Sequence, residues 1–164
     1  MNKQTTILLF TLLSALFVGH FLTNKQSKTT PNISKSSCNA SLWNHVYNPQ
    51  RLKIIDQCKT VSGTIESINT EKDGDYHIRL KLDPQYSNLI NPVNIQEQHG
   101  DLVLEPICEN PVEQPDAKAS CQNFRGNVTV PSVGTHVKVT GSYVLDKQHG
   151  WTEIHPVTTL TTAP

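Results

Sequence analysis

The chain has 164 residues with 14 basic and 14 acidic side chains, so its formal net charge is zero, and 36% of its residues are hydrophobic. Four lysines lie in the first 37 residues and the acidic residues begin only at Asp56, so residues 38–164 carry 10 basic against 14 acidic side chains, a formal charge of −4. Because non-specific nucleic-acid binding depends on neutralising phosphates with Lys and Arg, this balance argues against a general nucleic-acid binder.

An uncharged apolar run, ILLFTLLSALFVGHF, fills positions 7–21 after Lys3. Residues 1–22 are therefore predicted to be a signal peptide or a membrane anchor. A cut after Gly19 would place the bulky Phe17 where a small residue is preferred, which favours an uncleaved anchor. The run is shorter than the roughly 20 apolar residues of a membrane span, so a cleaved signal peptide is the alternative. Residues 23–37, rich in Ser, Thr, Asn and Lys, are predicted to be a flexible stalk.

All four cysteines, Cys38, Cys58, Cys108 and Cys121, lie beyond the apolar run. An even number of cysteines in a small exported domain predicts disulfide bonds, and closeness in sequence favours Cys38 with Cys58 and Cys108 with Cys121. A zinc site is the alternative, but the chain lacks the C-x-x-C spacing typical of such sites. We expect an extracytoplasmic protein, anchored or secreted, with one folded domain at residues 38–160 and a tail at 161–164.

The domain is predicted to open with a short helix over residues 49–57. Asn48 is a suitable cap, Pro49 suits the first helical position, and Leu52 and Ile55 have helical spacing.

From Thr60 the apolar period changes to two, which predicts strands. Two strands joined by the turn NTEKDG form a hairpin, with Gly63 marking a bulge or sharp bend in the first. In the second strand, His77, Arg79 and Lys81 are predicted to face solvent. A third strand is predicted over residues 101–107.

The last two strands are predicted from HVKVTG and WTEIHPV. Val137 and Val139 should point to the core of the fourth strand. In the fifth, Ile154 should point to the core and leave Trp151, Glu153 and His155 on the opposite face. Pro156 has no amide hydrogen, so it is expected to end or edge the ladder.

The predicted fold is therefore mainly β. Five strands in hairpin order, a glycine within the first and V-x-V-x-G in the fourth resemble an OB-fold, a small five-stranded Greek-key barrel, over residues 60–157. The strings C-x-x-V-x-G-x-I (58–65), DGDYH (73–77) and HGWTEIHPV (149–157) are similar to exported OB-like proteins of unknown activity. The resemblance implies a ligand face around strands two and three, framed by the loops EKDGD and DKQHG.

A binding domain for an oligosaccharide, a peptide or a similar extracytoplasmic ligand is the preferred interpretation. The predicted ligand-binding residues are Lys72, Asp73, Asp75, His77, Arg79, His149, Trp151, Glu153 and His155. The alternative is that the two loops are ordinary hairpin turns, for which Asp-Gly and His-Gly are good formers.

A rival interpretation is a metal-binding protein or metal-dependent hydrolase in which His77, Glu153 and His155 bind a divalent ion. Glu153 and His155 share one strand face but are ~6–7 Å apart along the strand, and the third ligand must come from elsewhere in the fold. The chain has no G-x-S-x-G elbow, and its cysteines are assigned to disulfides, so nucleophilic catalysis is not favoured. An extracytoplasmic nucleic-acid binder is the weakest alternative.

Overall fold

A computed structural model describes residues 38–164 of the chain. The predicted signal peptide or membrane anchor and the predicted stalk lie outside the described residues. The strands are β1 (Leu52–Thr70), β2 (Tyr76–Leu82), β3 (Leu102–Leu104), β4 (His136–Asp146) and β5 (Thr152–Thr162). Between β2 and β3 lies the short helix α1 (Pro92–Glu97). Short 3-10 helices cover Ala40–His45, Pro49–Arg51, Pro84–Leu89 and Pro115–Ala117.

The five strands form one mixed sheet that closes into a ring in the order β1-β2-β3-β5-β4. All neighbours are antiparallel except β3 and β5, which are parallel. The 19-residue strand β1 closes the ring because its first part pairs with β4 and its last part with β2. Gly63 pairs with both neighbours, and a side chain there would collide with the carbonyl of Lys81.

Alternating apolar residues fill the inside of the ring, as their period of two predicts. Fully buried members of this core are Val61, Ile65, Ile78, Leu80, Leu102, Leu104, Val137, Val139 and Ile154. Each buried Val, Leu or Ile contributes about 1.5–3 kcal/mol relative to an exposed position. The core therefore supplies a rigid frame for the loops at the ends of the strands.

The helix predicted over residues 49–57 is wrong. Only Pro49–Arg51 forms a 3-10 turn, and β1 begins at Leu52, which pairs with Asp146 on β4. Leu52 is buried but Ile55 is 53% exposed, so the spacing of these two residues did not mark a buried helical face. Strand pairing outweighs the local helical pattern here.

Pro156 was expected to end or edge the ladder, but it does not end the last strand, because β5 continues to Thr162. The proline lies where the pairing of β4 with β5 is irregular, around Gly141, so its missing amide hydrogen disturbs no regular ladder. A side chain at Gly141 would collide with the carbonyl of Pro156. The third strand, β3, has three residues instead of the seven predicted.

Both predicted disulfides, Cys38–Cys58 and Cys108–Cys121, are confirmed. The first ties the start of the described chain to β1, and the second closes part of the long loop between β3 and β4. Two disulfides in a small domain are typical of an oxidising environment. Among residues 38–164, no helix combines the length and the apolar character needed to cross a membrane.

Candidate functional site

A pocket of about 300 Å³ lies between the loop that joins β1 to β2 and the loop that joins β4 to β5. Its lining residues are Arg51, Glu71, Asp73, His77, Gln98, Glu105, His149 and Trp151. Asp73, His77, His149 and Trp151 belong to the ligand-binding set predicted from the sequence. The two loops therefore border a single pocket.

A buried charge network underlies the pocket, with the guanidinium of Arg51 at its centre. The Arg51 side chain is 10% exposed and donates a hydrogen bond to the fully buried Asp146. Its Nη2 lies 3.5 Å from Glu105 Oε2, and its Nη1 lies 3.9 Å from Glu153 Oε1. Arg51 thus offsets carboxylates contributed by the chain just after β3, the end of β4 and the start of β5.

His155 is fully buried and donates hydrogen bonds to two of these carboxylates. Its Nδ1–H donates to Glu105 Oε2 at 2.6 Å and to Glu153 Oε1 at 3.1 Å. Burial alone lowers the pKa of His155, but the charges and hydrogen bonds of Glu105 and Glu153 outweigh it and raise that pKa to about 10. At neutral pH the imidazole is therefore charged.

The pKa values of Glu105 and Glu153 are shifted in opposite directions. Burial raises the pKa of both carboxyls. For Glu105, the cationic groups of His155 and Arg51 outweigh burial and hold its pKa below the usual range. For Glu153, burial and the negative charge of Glu105 prevail, so its pKa is raised. Glu105 is therefore the ionised carboxylate that the network presents to the pocket.

Asp75 precedes β2 and lies on the other side of the His155 ring. Its Oδ1 accepts a hydrogen bond from the backbone N–H of Cys108 at 2.7 Å. Its Oδ2 faces His155 Nε2 at 4.0 Å, and both of these buried atoms lack a hydrogen-bond partner. Burial raises the pKa of Asp75 well above its usual value, although the charge of His155 opposes this.

The aromatic wall of the pocket is anchored to the buried carboxylates. The rings of His149 and Trp151 stack, with centroids 4.5 Å apart and planes 7° from parallel. Trp151 Nε1–H donates to Glu153 Oε2 at 2.8 Å, and His149 Nδ1–H donates to Asp146 Oδ2 at 2.7 Å. The indole is therefore held in place by the network beneath it.

His77 forms a second wall and meets the Trp151 ring edge-on, with centroids 5.8 Å apart. Its Nε2–H donates to Gln98 Oε1 at 3.0 Å, and its Nδ1 lies 3.6 Å from Glu105 Oε1. Burial lowers the pKa of His77, but its interactions with Glu105 and Gln98 outweigh burial and raise the pKa. Its side chain is 15% exposed, less than the solvent-facing position predicted from the strand pattern.

Other predicted ligand-binding residues lie outside the pocket lining. Arg79 donates to Ser67 Oγ at 2.9 Å and pairs with Asp101 at 3.3 Å. The exposed side chain of Lys72 lies beside a separate pocket that Asn110 also lines. Asp75, Glu153 and His155 lie in the buried network instead of at the pocket surface.

The proposed metal set of His77, Glu153 and His155 stays a prediction. Both ring nitrogens of His77 face Gln98 or Glu105, and the two oxygens of Glu153 face Trp151 and His155. Among residues 38–164, His155 shares a compact group of donor atoms with Asp75 and Glu105 instead.

Sequence reasoning missed four residues that line the pocket: Arg51, Glu71, Gln98 and Glu105. The sequence does contain one indication that Glu105 is functional, since it is a charged residue directly after the apolar LVL of β3. Arg51 was assigned to a helix, and no local pattern links it to carboxylates 54, 95 and 102 positions away. The role of Arg51 becomes visible only in the folded structure, where closure of the sheet brings these carboxylates beside it.

Comparison with known proteins gave no match to a family model, a curated protein or a solved structure.

Proposed function

We propose that the protein is an exported, OB-like binding module that holds a polar ligand in the pocket between the β1–β2 and β4–β5 loops. The order β1-β2-β3-β5-β4, with β1 shared by two neighbours, supports an OB-like barrel. In OB-folds the corresponding loops frame the ligand face. The observation that carries the proposal is that one pocket is lined from both loops, by Glu71 and Asp73 on one side and by His149 and Trp151 on the other.

The charges of the lining favour a ligand that donates hydrogen bonds and carries positive charge. Glu71 and Asp73 are acidic, and the charges of Glu105 and Arg51 are engaged with each other and with the buried network. Trp151 adds an apolar ring suited to a sugar face or an alkyl ammonium group. An oligosaccharide or a peptide with amino groups meets these requirements. A nucleic acid does not, since its phosphates would face an acidic pocket.

Export to an extracytoplasmic compartment is part of the proposal. The apolar segment at residues 7–21 and the two disulfides support it. The pocket itself is built from residues 51–151.

Isothermal titration of the purified full chain with defined probes tests the proposed ligand class. The probes are a glucosamine tetramer, a pentalysine peptide, a sulfated disaccharide and a thymidine oligonucleotide. We expect binding of the tetramer or the peptide, and its loss in Trp151→Ala. Trp43→Ala is the matched control, because Trp43 donates to Ser142 and does not line the pocket. Binding of only the anionic probes, or equal binding by both variants, would contradict the proposal.

A further inference from the structure

A pair of unsatisfied buried atoms lies behind the pocket wall. Asp75 Oδ2 and His155 Nε2 are both buried, both lack a hydrogen-bond partner, and face each other at 4.0 Å. That distance is too long for a hydrogen bond. Leaving two such atoms unpaired in a protein interior is costly, and a cation that takes the place of the Nε2 proton of His155 would pair with both atoms.

A second carboxylate–imidazole pair in the same molecule shows what direct pairing looks like. His136 Nε2 lies 3.1 Å from Asp83 Oδ1, within hydrogen-bond distance. The Asp75–His155 pair is about 0.9 Å wider, although both of its side chains are almost completely buried. The wider gap is therefore a feature of this site.

The geometry points to a divalent transition-metal ion held between Asp75 and His155, with Glu105 orienting the imidazole. Zinc binds imidazole nitrogen and carboxylate oxygen at about 2.0–2.2 Å, so one ion in the 4.0 Å gap reaches both atoms. Glu105 accepts the opposite ring N–H of His155 at 2.6 Å, the arrangement by which carboxylates commonly fix metal-binding histidines.

The charge of the surrounding network supports a cation at this position. Four buried carboxyl groups, from Asp75, Glu105, Asp146 and Glu153, surround the cation Arg51 and His155, whose Nε2 proton the ion would replace. A dication would offset this excess of acidic groups.

The available donors define the class of ion. The donor atoms of Asp75, Glu105 and His155 lie within 4.8 Å of one another. An imidazole nitrogen with a carboxylate oxygen suits Zn²⁺ or Mn²⁺ better than Ca²⁺, which takes six to eight oxygen ligands. Cys108 and Cys121 also adjoin Asp75, but their sulfurs are joined in a disulfide and cannot act as thiolate ligands.

The direct test is metal analysis of the tag-free full chain after dialysis against EDTA and re-addition of Zn²⁺, Mn²⁺ or Ca²⁺. We expect about one Zn²⁺ or Mn²⁺ per chain, no Ca²⁺, and loss of the ion in Asp75→Asn. Asp83→Asn makes the same chemical change at the directly bonded pair and should keep the ion. A metal-free wild type, or equal metal contents in both variants, would overturn the inference.

Imidazole ¹⁵N NMR of the wild type covers the case in which Asp75→Asn fails to fold. Addition of Zn²⁺ should shift the Nε2 signal of the buried His155. Shifts confined to other histidines, such as His77 and His149 at the pocket, would assign the ion elsewhere and overturn the inference. Both experiments report on bound metal without any pocket ligand, so their failure leaves the proposed binding function standing.

Discussion

Replacing Arg51 with methionine should destabilise the protein strongly, because it removes the central cation of the buried network. Methionine keeps much of the side chain's length and apolar contact but leaves Asp146, which is fully buried, without its direct cationic partner. Removing one partner of a buried ion pair costs about 3–5 kcal/mol. The contacts to Glu105 and Glu153, at 3.5 and 3.9 Å, are too long to be good hydrogen bonds. We therefore expect Arg51→Met to lower the free energy of unfolding by about 3–4 kcal/mol, the lower half of that range.

Equilibrium unfolding in urea, followed by circular dichroism, measures this loss. Arg125→Met is the matched control, since Arg125 is exposed and its replacement should change the free energy of unfolding by less than about 0.5 kcal/mol. The double variant Arg51→Met/Asp146→Asn removes both charges and should lose less than the sum of its single changes. A loss in Arg51→Met no larger than in Arg125→Met, or strictly additive changes, would refute the idea that a buried ion pair supports the pocket.

Three further predictions concern separate parts of the molecule. Gly141→Ala should lower the free energy of unfolding, measured in urea, by more than Gly134→Ala. A Cβ at Gly141 meets backbone, whereas one at Gly134 meets nothing within 4 Å and adds only the strain of a positive φ. Equal losses in the two variants would refute the close approach of Gly141 to the carbonyl of Pro156. Trp151→Phe removes an indole N–H that donates to a buried carboxylate, so thermal unfolding should show a loss of about 1–3 kcal/mol; an unchanged melting temperature would contradict this. Asp83 raises the pKa of His136 above 6.5, and the pKa of Asp83 is itself lowered. The contribution of this ion pair to stability is therefore lost as pH rises through the pKa of His136. It is also lost at acid pH, as pH falls through the pKa of Asp83. An NMR titration in which Asp83→Asn leaves the His136 pKa unchanged would contradict the assignment.

The strands and the disulfides were predictable because their signals are local. Val61, Ile65, Ile78 and Leu80 alternate with polar neighbours, and the faces that this period implies are the faces that the structure buries. Cysteine spacing gave the correct pairing because each bond closes a short stretch of chain, of 20 or 13 residues. The two loops that border the pocket were expected at a ligand face only because of the resemblance to an OB-fold.

The buried network could not be predicted, because it depends on contacts between distant parts of the chain. Glu153 and His155 were expected together on one strand face, yet nothing local shows that Arg51 and Glu105 cover that face and bury it. The helical spacing around Leu52 was equally misleading, since pairing with β4 decides the conformation there. Local periodicity identifies which residues share a face but not what lies against it.

The most direct test of the proposed pocket is an NMR titration of the full chain with the glucosamine tetramer, following the two indole N–H signals. The chain has two tryptophans, and only Trp151 lines the pocket, while Trp43 donates to Ser142. The account predicts that the Trp151 signal shifts in a saturable manner while the Trp43 signal stays in place. A shift of Trp43 alone, or binding with neither signal moving, would contradict the assignment of the ligand to this pocket.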